Sequence, residues 1–217
     1  IIPDNLYIVG TVNMDETTHP FSKKVLDRAN TIEFSEINLL DYKLSAREED
    51  AVIENSRVSY QFLRADYLTL NNCSYADEDI IEEVVKKLQK INDILEQASL
   101  QVGYRVRDEF CFYMLYNQQE GLLKKKQAFD FQLMQKILPR IQGSSRSIKN
   151  VLIQLLNFAT GEDLSLNEGE ISNKAVKIVE DYKANKGDLD INYPKSAEKI
   201  ATMIKRIEED GFTAYWL

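Results

Sequence analysis

Asn13 closes the run Leu6-Tyr7-Ile8-Val9-Gly10-Thr11-Val12, and Arg28 stands further on in Leu26-Asp27-Arg28-Ala29. A side-chain amide at a strand end can hold a water in line with a phosphoryl group, because phosphoryl transfer depends on positioning and on stabilising charge. The plainer reading is a turn asparagine. An arginine at a helix end can supply positive charge to such a transition state, or can simply be an exposed cation favoured by the helix dipole. Asp15 and Glu16, with Thr17 and Thr18, form a polar cluster beside the amide. One acid there can hold a neighbouring arginine or orient a metal-bound water, and the same residues can equally cap the next segment. Arg105 lies in Gly103-Tyr104-Arg105-Val106-Arg107-Asp108, at the start of a helix-like run. A cation at that end opposes the helix dipole, which leaves a purely structural reason less comfortable. Arg107 could take the same role, with Asp108 beside it to neutralise it.

The elements that must position these groups can be read from periodicity. Leu6 to Val9 is a short apolar run ending in Gly and polar residues, the pattern of a buried strand. Its tip would lie at the carboxyl edge, where open α/β sheets bind ligands. A short helix then carries Arg28, and Thr31-Ile32-Glu33-Phe34 is again strand-like. From Ile37 to about Leu70 the signals are mixed and assign no element. From Asp77, Ile81, Val84, Val85, Leu88, Ile91 and Leu95 recur at helical spacing, with Glu82/Lys86 and Glu83/Lys87 as outward pairs and Gly103 as the stop. Phe110 to Tyr116 is apolar nearly all round and predicts a central helix. A third helix opens at Lys124-Lys125-Lys126 and ends before Pro139. A fourth starts at Ser144 or Ser145 and closes at Gly161. Two more are capped by Ser172 and Ser196, and Phe212 to Trp216 forms a short strand or docked tail.

The stretch Gly-Thr-Val-Asn followed by Leu-Asp-Arg resembles NTPases of the AAA+ class, and more closely their McrB-type branch, the NTPase subunits of modified-cytosine restriction systems. The resemblance implies that Asn13 is the sensor 1 residue, that Arg28 is an arginine finger acting on the neighbouring subunit, and that Arg105 is the sensor 2 residue. Where that branch carries Met-Asn-Thr-Ala-Asp-Arg, this chain has Val12-Asn13-Met14-Asp15-Glu16-Thr17. The implied fold is mainly α: residues 1–36 are the end of an AAA+ α/β core, 37–75 a linker or irregular extension, and 76–217 a helical lid. The implied ligands are GTP or ATP with Mg²⁺, and the implied partners are a homo-oligomeric ring, a hexamer in the family, and an endonuclease subunit. A MoxR-like ATPase that remodels proteins is the alternative within the class. A helical interaction module with no nucleotide role is the alternative outside it.

Composition bounds these readings. With 217 residues the chain can bury a sizeable core. Its net charge of −8 argues against gripping a duplex by itself, because phosphate neutralisation dominates DNA affinity; DNA would be held through other parts. No apolar run approaches the roughly 20 residues of a membrane span, and no leader pattern points to export, so the expected location is the cytoplasm without membrane contact. Cys73 and Cys111 lack metal-ligand spacing, and no metal-ligating residue is assigned; Cys111 reads as a buried thiol. His19 has no catalytic partner pattern. Arg140 and Arg146, around Gly143-Ser144-Ser145, could touch a phosphate, although solvated positions at a helix start suit them better. No Gly-x-x-x-x-Gly-Lys-[Ser/Thr] loop is present, and no apolar strand ending in paired acids precedes Asn13. The chain opens at Ile1-Ile2-Pro3 and reads as a fragment that by itself should not hydrolyse nucleotide.

Overall fold

A computed structural model describes residues 6–14, 19, 21–34, 70, 77–162, 171–184 and 191–216. The chain divides into two units, Ile1–Asn13 with Glu33–Leu68, and Met14–Ile32 with Thr69–Leu217. In the first unit the described residues form no strand. Ile8 and Val9 are 87% and 88% exposed and Phe34 is 93% exposed, so the buried strand predicted over Leu6–Val9 is not formed. Thr31 to Phe34 is likewise irregular. A strand needs a neighbour for its ladder bonds, and among the described residues the only ladder is a two-residue bridge elsewhere in the chain.

The second unit is mainly helical. It contains α1 (Lys23–Leu26), α2 (Glu78–Glu96), α3 (Tyr104–Glu120), α4 (Lys125–Gln132), α5 (Arg146–Thr160), α6 (Ile171–Ala184) and α7 (Pro194–Glu209). Strands β1 (Gln142–Gly143) and β2 (Thr213–Ala214) pair antiparallel, with Gln142 opposite Ala214. No described helix is long and apolar enough to cross a membrane.

Helix α2 buries Ile80, Val84, Leu88, Ile91 and Leu95, while Glu82–Lys86 at 2.6 Å and Glu83–Lys87 at 2.8 Å pair along its outer side. It stops at Glu96, well before the predicted Gly103. The chain reverses through Ser99, at φ 54°, and Asn92 hooks the loop by accepting the Val102 N–H at 2.7 Å. Gly103 instead precedes α3 as its N-cap. The central helix is α3, which buries Val106, Phe110, Cys111, Met114 and Leu115 and ends at Gly121 in the left-handed region. Helix α5 opens on Ser145, whose hydroxyl accepts the Ile148 N–H, and closes on Gly161 at φ 81°, where a Cβ would meet Asn192 Nδ2 at 2.9 Å. Helix α7 packs against both α5 and α6.

The caps predicted for the last two helices differ. Ser172 lies inside α6, which begins at Ile171. Ser196 lies in the first turn of α7 and is fully buried. The cap of α7 comes from another helix: Asp130 of α4 accepts the Lys195 and Ser196 N–H groups at 2.9 Å each, and the Ser196 hydroxyl as well. A helix start buried in a core has no water for its free N–H groups, and Pro194 already removes one. Tyr193, just before it, stacks on Phe158 at 5.4 Å and tilts on Phe129 at 5.1 Å. Beside these rings Lys87 lies 5.4 Å over Phe129, and hydrogen bonds from Lys125 and Lys87 hold the Glu83 carboxyl below its ordinary range.

Burial holds the Asp130 carboxyl above its ordinary range, outweighing the bonds from Ser196 and Lys195 that favour the charged form. Asp130→Ala would leave the buried Ser196 N–H and the part-buried Lys195 N–H unmet and is expected to cost about 1–3 kcal/mol in urea unfolding. A raised carboxyl pKa means that the ionised group opposes folding above its folded pKa. Wild type should therefore gain stability relative to Asp130→Asn as pH falls from neutral through that pKa, and the difference should level off below the ordinary carboxylate range. A difference that is flat with pH would refute this account.

Candidate functional site

The predicted site residues occupy different places. Asn13 is exposed and belongs to the first unit. Asp15 and Glu16 lie outside the described residues. Arg28 and Arg105 belong to the second unit, and both are exposed. Arg28 follows α1, and its guanidinium donates to the Lys24 carbonyl at 2.8 Å. That bond uses one of five guanidinium donors. Arg105 sits in the first turn of α3 beside Tyr104, which is 78% exposed. Arg107 is the neutralised cation of the pair. Its guanidinium meets Asp108 at 2.6 Å and lies 4.9 Å over the Tyr104 ring. Arg105 has no side-chain hydrogen bond or ion pair among the described residues.

What holds Arg28 in place is a set of contacts that the sequence did not announce. Pro139 has no N–H and its ring crowds the carbonyl four residues earlier, so an α-helix cannot run through it. Here α4 passes into a π turn over Leu133–Ile137 and a 3₁₀ turn over Leu138–Arg140. The Leu138 N–H reaches back to the Leu133 carbonyl. The Gln135 carbonyl, which Pro139 cannot serve, accepts the Thr31 hydroxyl at 2.7 Å. Such π turns are rare and frequently occur at functional sites.

Two cations on this irregular turn complete the grip. Lys136, 1% exposed, donates to the Ala29 carbonyl at 2.9 Å and pairs with Glu109 of α3. Arg140, 6% exposed, pairs through Nη1 with the Asp27 carboxylate, while its buried Nε has no hydrogen-bond partner among the described residues. Leu26 is buried, Lys23 reaches the Ser99 carbonyl at 3.4 Å, and Phe21 packs edge-on against Trp216 at 6.0 Å. The segment from Phe21 to Thr31 is thus fastened along its length, with Arg28 turned to solvent. Arg140, considered from sequence as a solvated or phosphate-touching residue, is buried and already engaged by Asp27. Its neighbour in that reading, Arg146, is exposed at the start of α5.

Among the described residues no group of three or more His, Cys, Asp or Glu is placed to hold a metal ion. A cleft of about 220 Å³ between α2 and α3, lined by Ile80, Met114, Gln118 and Leu123, is mainly apolar and holds no cluster of charge.

A protein-family model described as a domain of unknown function, DUF8727, matches residues 31–212. The chain belongs to this family. No curated protein and no solved structure matches it. The matched span includes Arg105, Lys136 and Arg140, and begins at Thr31; Asn13 and Arg28 precede it. In this DUF8727 chain the fastening contacts therefore join the matched region to the segment just ahead of it.

The buried grip should be measurable. Lys136→Met preserves length but leaves the Ala29 carbonyl without its donor. It is expected to lower stability by about 1–3 kcal/mol, seen as a lower urea midpoint at unchanged slope. An unchanged midpoint would show that the grip contributes nothing.

Proposed function

We propose that this DUF8727 chain is the finger-and-lid portion of a ring-forming nucleoside triphosphatase resembling the McrB-type branch of the AAA+ class. The observation that carries the reading is Arg28: an exposed guanidinium whose flanking residues are gripped by buried cations, on a segment fastened to a helical body. That is what a charge-supplying side chain needs when it acts on a site in the neighbouring subunit. It must be fixed at its base with donors to spare at its tip, and the Lys24 bond leaves four of the five Arg28 N–H donors unused. Arg105 supports the reading as a second exposed cation, at the first turn of the central helix, and would touch a phosphate within its own subunit. The role of positioning the attacking water, which the resemblance gives to Asn13, rests on the resemblance alone.

The bound nucleotide, GTP or ATP, supplies the phosphoryl group that these cations would meet. The reading requires a phosphate-binding loop and Mg²⁺-holding acids supplied by polypeptide beyond these 217 residues; the described residues offer no acid cluster for the metal. Hydrolysis in a ring, a hexamer in the resembled family, would then drive DNA translocation with an endonuclease partner. A helical interaction module with no nucleotide role is the competing reading, favoured by the mainly helical second unit.

The test is steady-state GTP and ATP hydrolysis by the complete polypeptide across protein concentration. Turnover should rise cooperatively with concentration. Arg28→Ala should reduce it by about 10³-fold or more, the range known for fingers acting across subunits. Arg105→Ala should raise KM for the nucleotide by about tenfold, as loss of one charge-assisted contact would. If both variants turn over as wild type does, or if no hydrolysis occurs, the interaction module becomes the better reading.

A further inference from the structure

We propose that Arg140 and Lys136 are positioning residues that set the reach of Arg28. The inference rests on the finger reading of Arg28 and adds the machinery that aims it. Arg140 holds the residue before Arg28 by its side chain, and Lys136 holds the residue after it by its backbone carbonyl. Both cations are buried, and both engage the immediate neighbours of the exposed Arg28.

Three features distinguish aiming from ordinary docking. First, α1 is only four residues long. A single turn is unfavourable by itself, so the direction of Arg28 is determined by what grips its neighbours. Second, burial of Leu26 would suffice to dock an amphipathic turn, yet the fold also takes two cations out of water. Buried charge is costly unless well paired and is a weak source of stability, so its contribution here is directional. Third, both cations lie on the turn deformed by Pro139, four residues apart, which brings the Asp27 and Ala29 grips onto one short stretch of backbone. Thr31, bonded to the carbonyl that Pro139 leaves open, stops the segment from sliding past them.

The experiment combines exchange and turnover. The principal variant is Asp27→Asn, because Asp27 is only partly buried and its loss should spare the fold; Arg140→Gln is the second. In the 217-residue chain, amide hydrogen exchange of Asp27, Arg28 and Ala29 should accelerate by about tenfold or more in either variant, with α5 and α7 unchanged. In the complete polypeptide, both should lower kcat by about 10–100-fold, the order expected for a small displacement of a catalytic group, with KM for the nucleotide within about twofold. Asp27→Asn should add nothing in an Arg28→Ala background, since it acts through that side chain. Reversing the pair, with Asp27→Arg and Arg140→Asp together, should recover part of the loss.

Unchanged exchange at residues 27–29 overturns the positioning role. Faster exchange with wild-type kcat in Asp27→Asn, while Arg28→Ala is inactive, overturns it too but leaves the finger standing. Wild-type turnover in Arg28→Ala removes the finger and its positioning residues together.

Discussion

A proline at position 139 deprives the Gln135 carbonyl of the donor that a continuing α-helix would provide, and the surrounding contacts answer that deficit. The helix widens into a π turn, the vacated carbonyl accepts Thr31, and the same stretch of backbone turns Lys136 and Arg140 toward the segment that carries Arg28. Neither cation could be buried at this place without acceptors, since an unpaired charge in a protein interior is strongly disfavoured. Asp27, Glu109 and the Ala29 carbonyl supply them. The irregular turn and the fastened segment are therefore mutually dependent. Each satisfies polar groups that would otherwise be left unmet.

A second dependence of the same kind lies within the helical body. Pro194 and the neighbouring N–H groups begin α7 at the edge of the core, and Asp130 reaches across from α4 to close that end. In both places a proline at a helix boundary leaves backbone groups open, and a side chain or hydroxyl distant in sequence fills the vacancy. These connections tie α4 to α7, and the π and 3₁₀ turns that follow α4 to the Phe21–Thr31 segment.

Much of the helical part was legible because it rests on local rules. The apolar spacing from Ile81 to Leu95, the all-round apolarity near Phe110 and Cys111, the serine cap at 144 or 145 and the Gly161 stop are properties of neighbouring residues. The misreadings involve partners far away in the chain. Ser196 has the composition of a cap, but Asp130 does the capping. Arg140 resembles a solvated cation at a helix start, yet it is buried on Asp27. The charges at 136 and 140 inside the apolar run Leu133 to Ile141, with Pro139 between them, were the available signal: cations in such a run need acceptors from outside their own helix. Leu6 to Val9 failed for the complementary reason, because strand propensity requires a neighbouring strand and the described residues provide none. Of the candidate site, the helix-end position of Arg28 and the helix-start position of Arg105 could be read in advance. The grip beneath Arg28 could not.

The contacts that fasten Thr31, Ala29 and Asp27 join residues separated by 104, 107 and 113 positions in sequence. Closing such long loops carries an entropic cost that must be met before the contacts reward it. The helical body closes long loops as well: Asp130 reaches Ser196 across 66 positions and Gln97 reaches Gln154 across 57. Because that cost grows only with the logarithm of loop length, the Arg28 segment closes at little more expense than the body it joins, and its three contacts share a single closure.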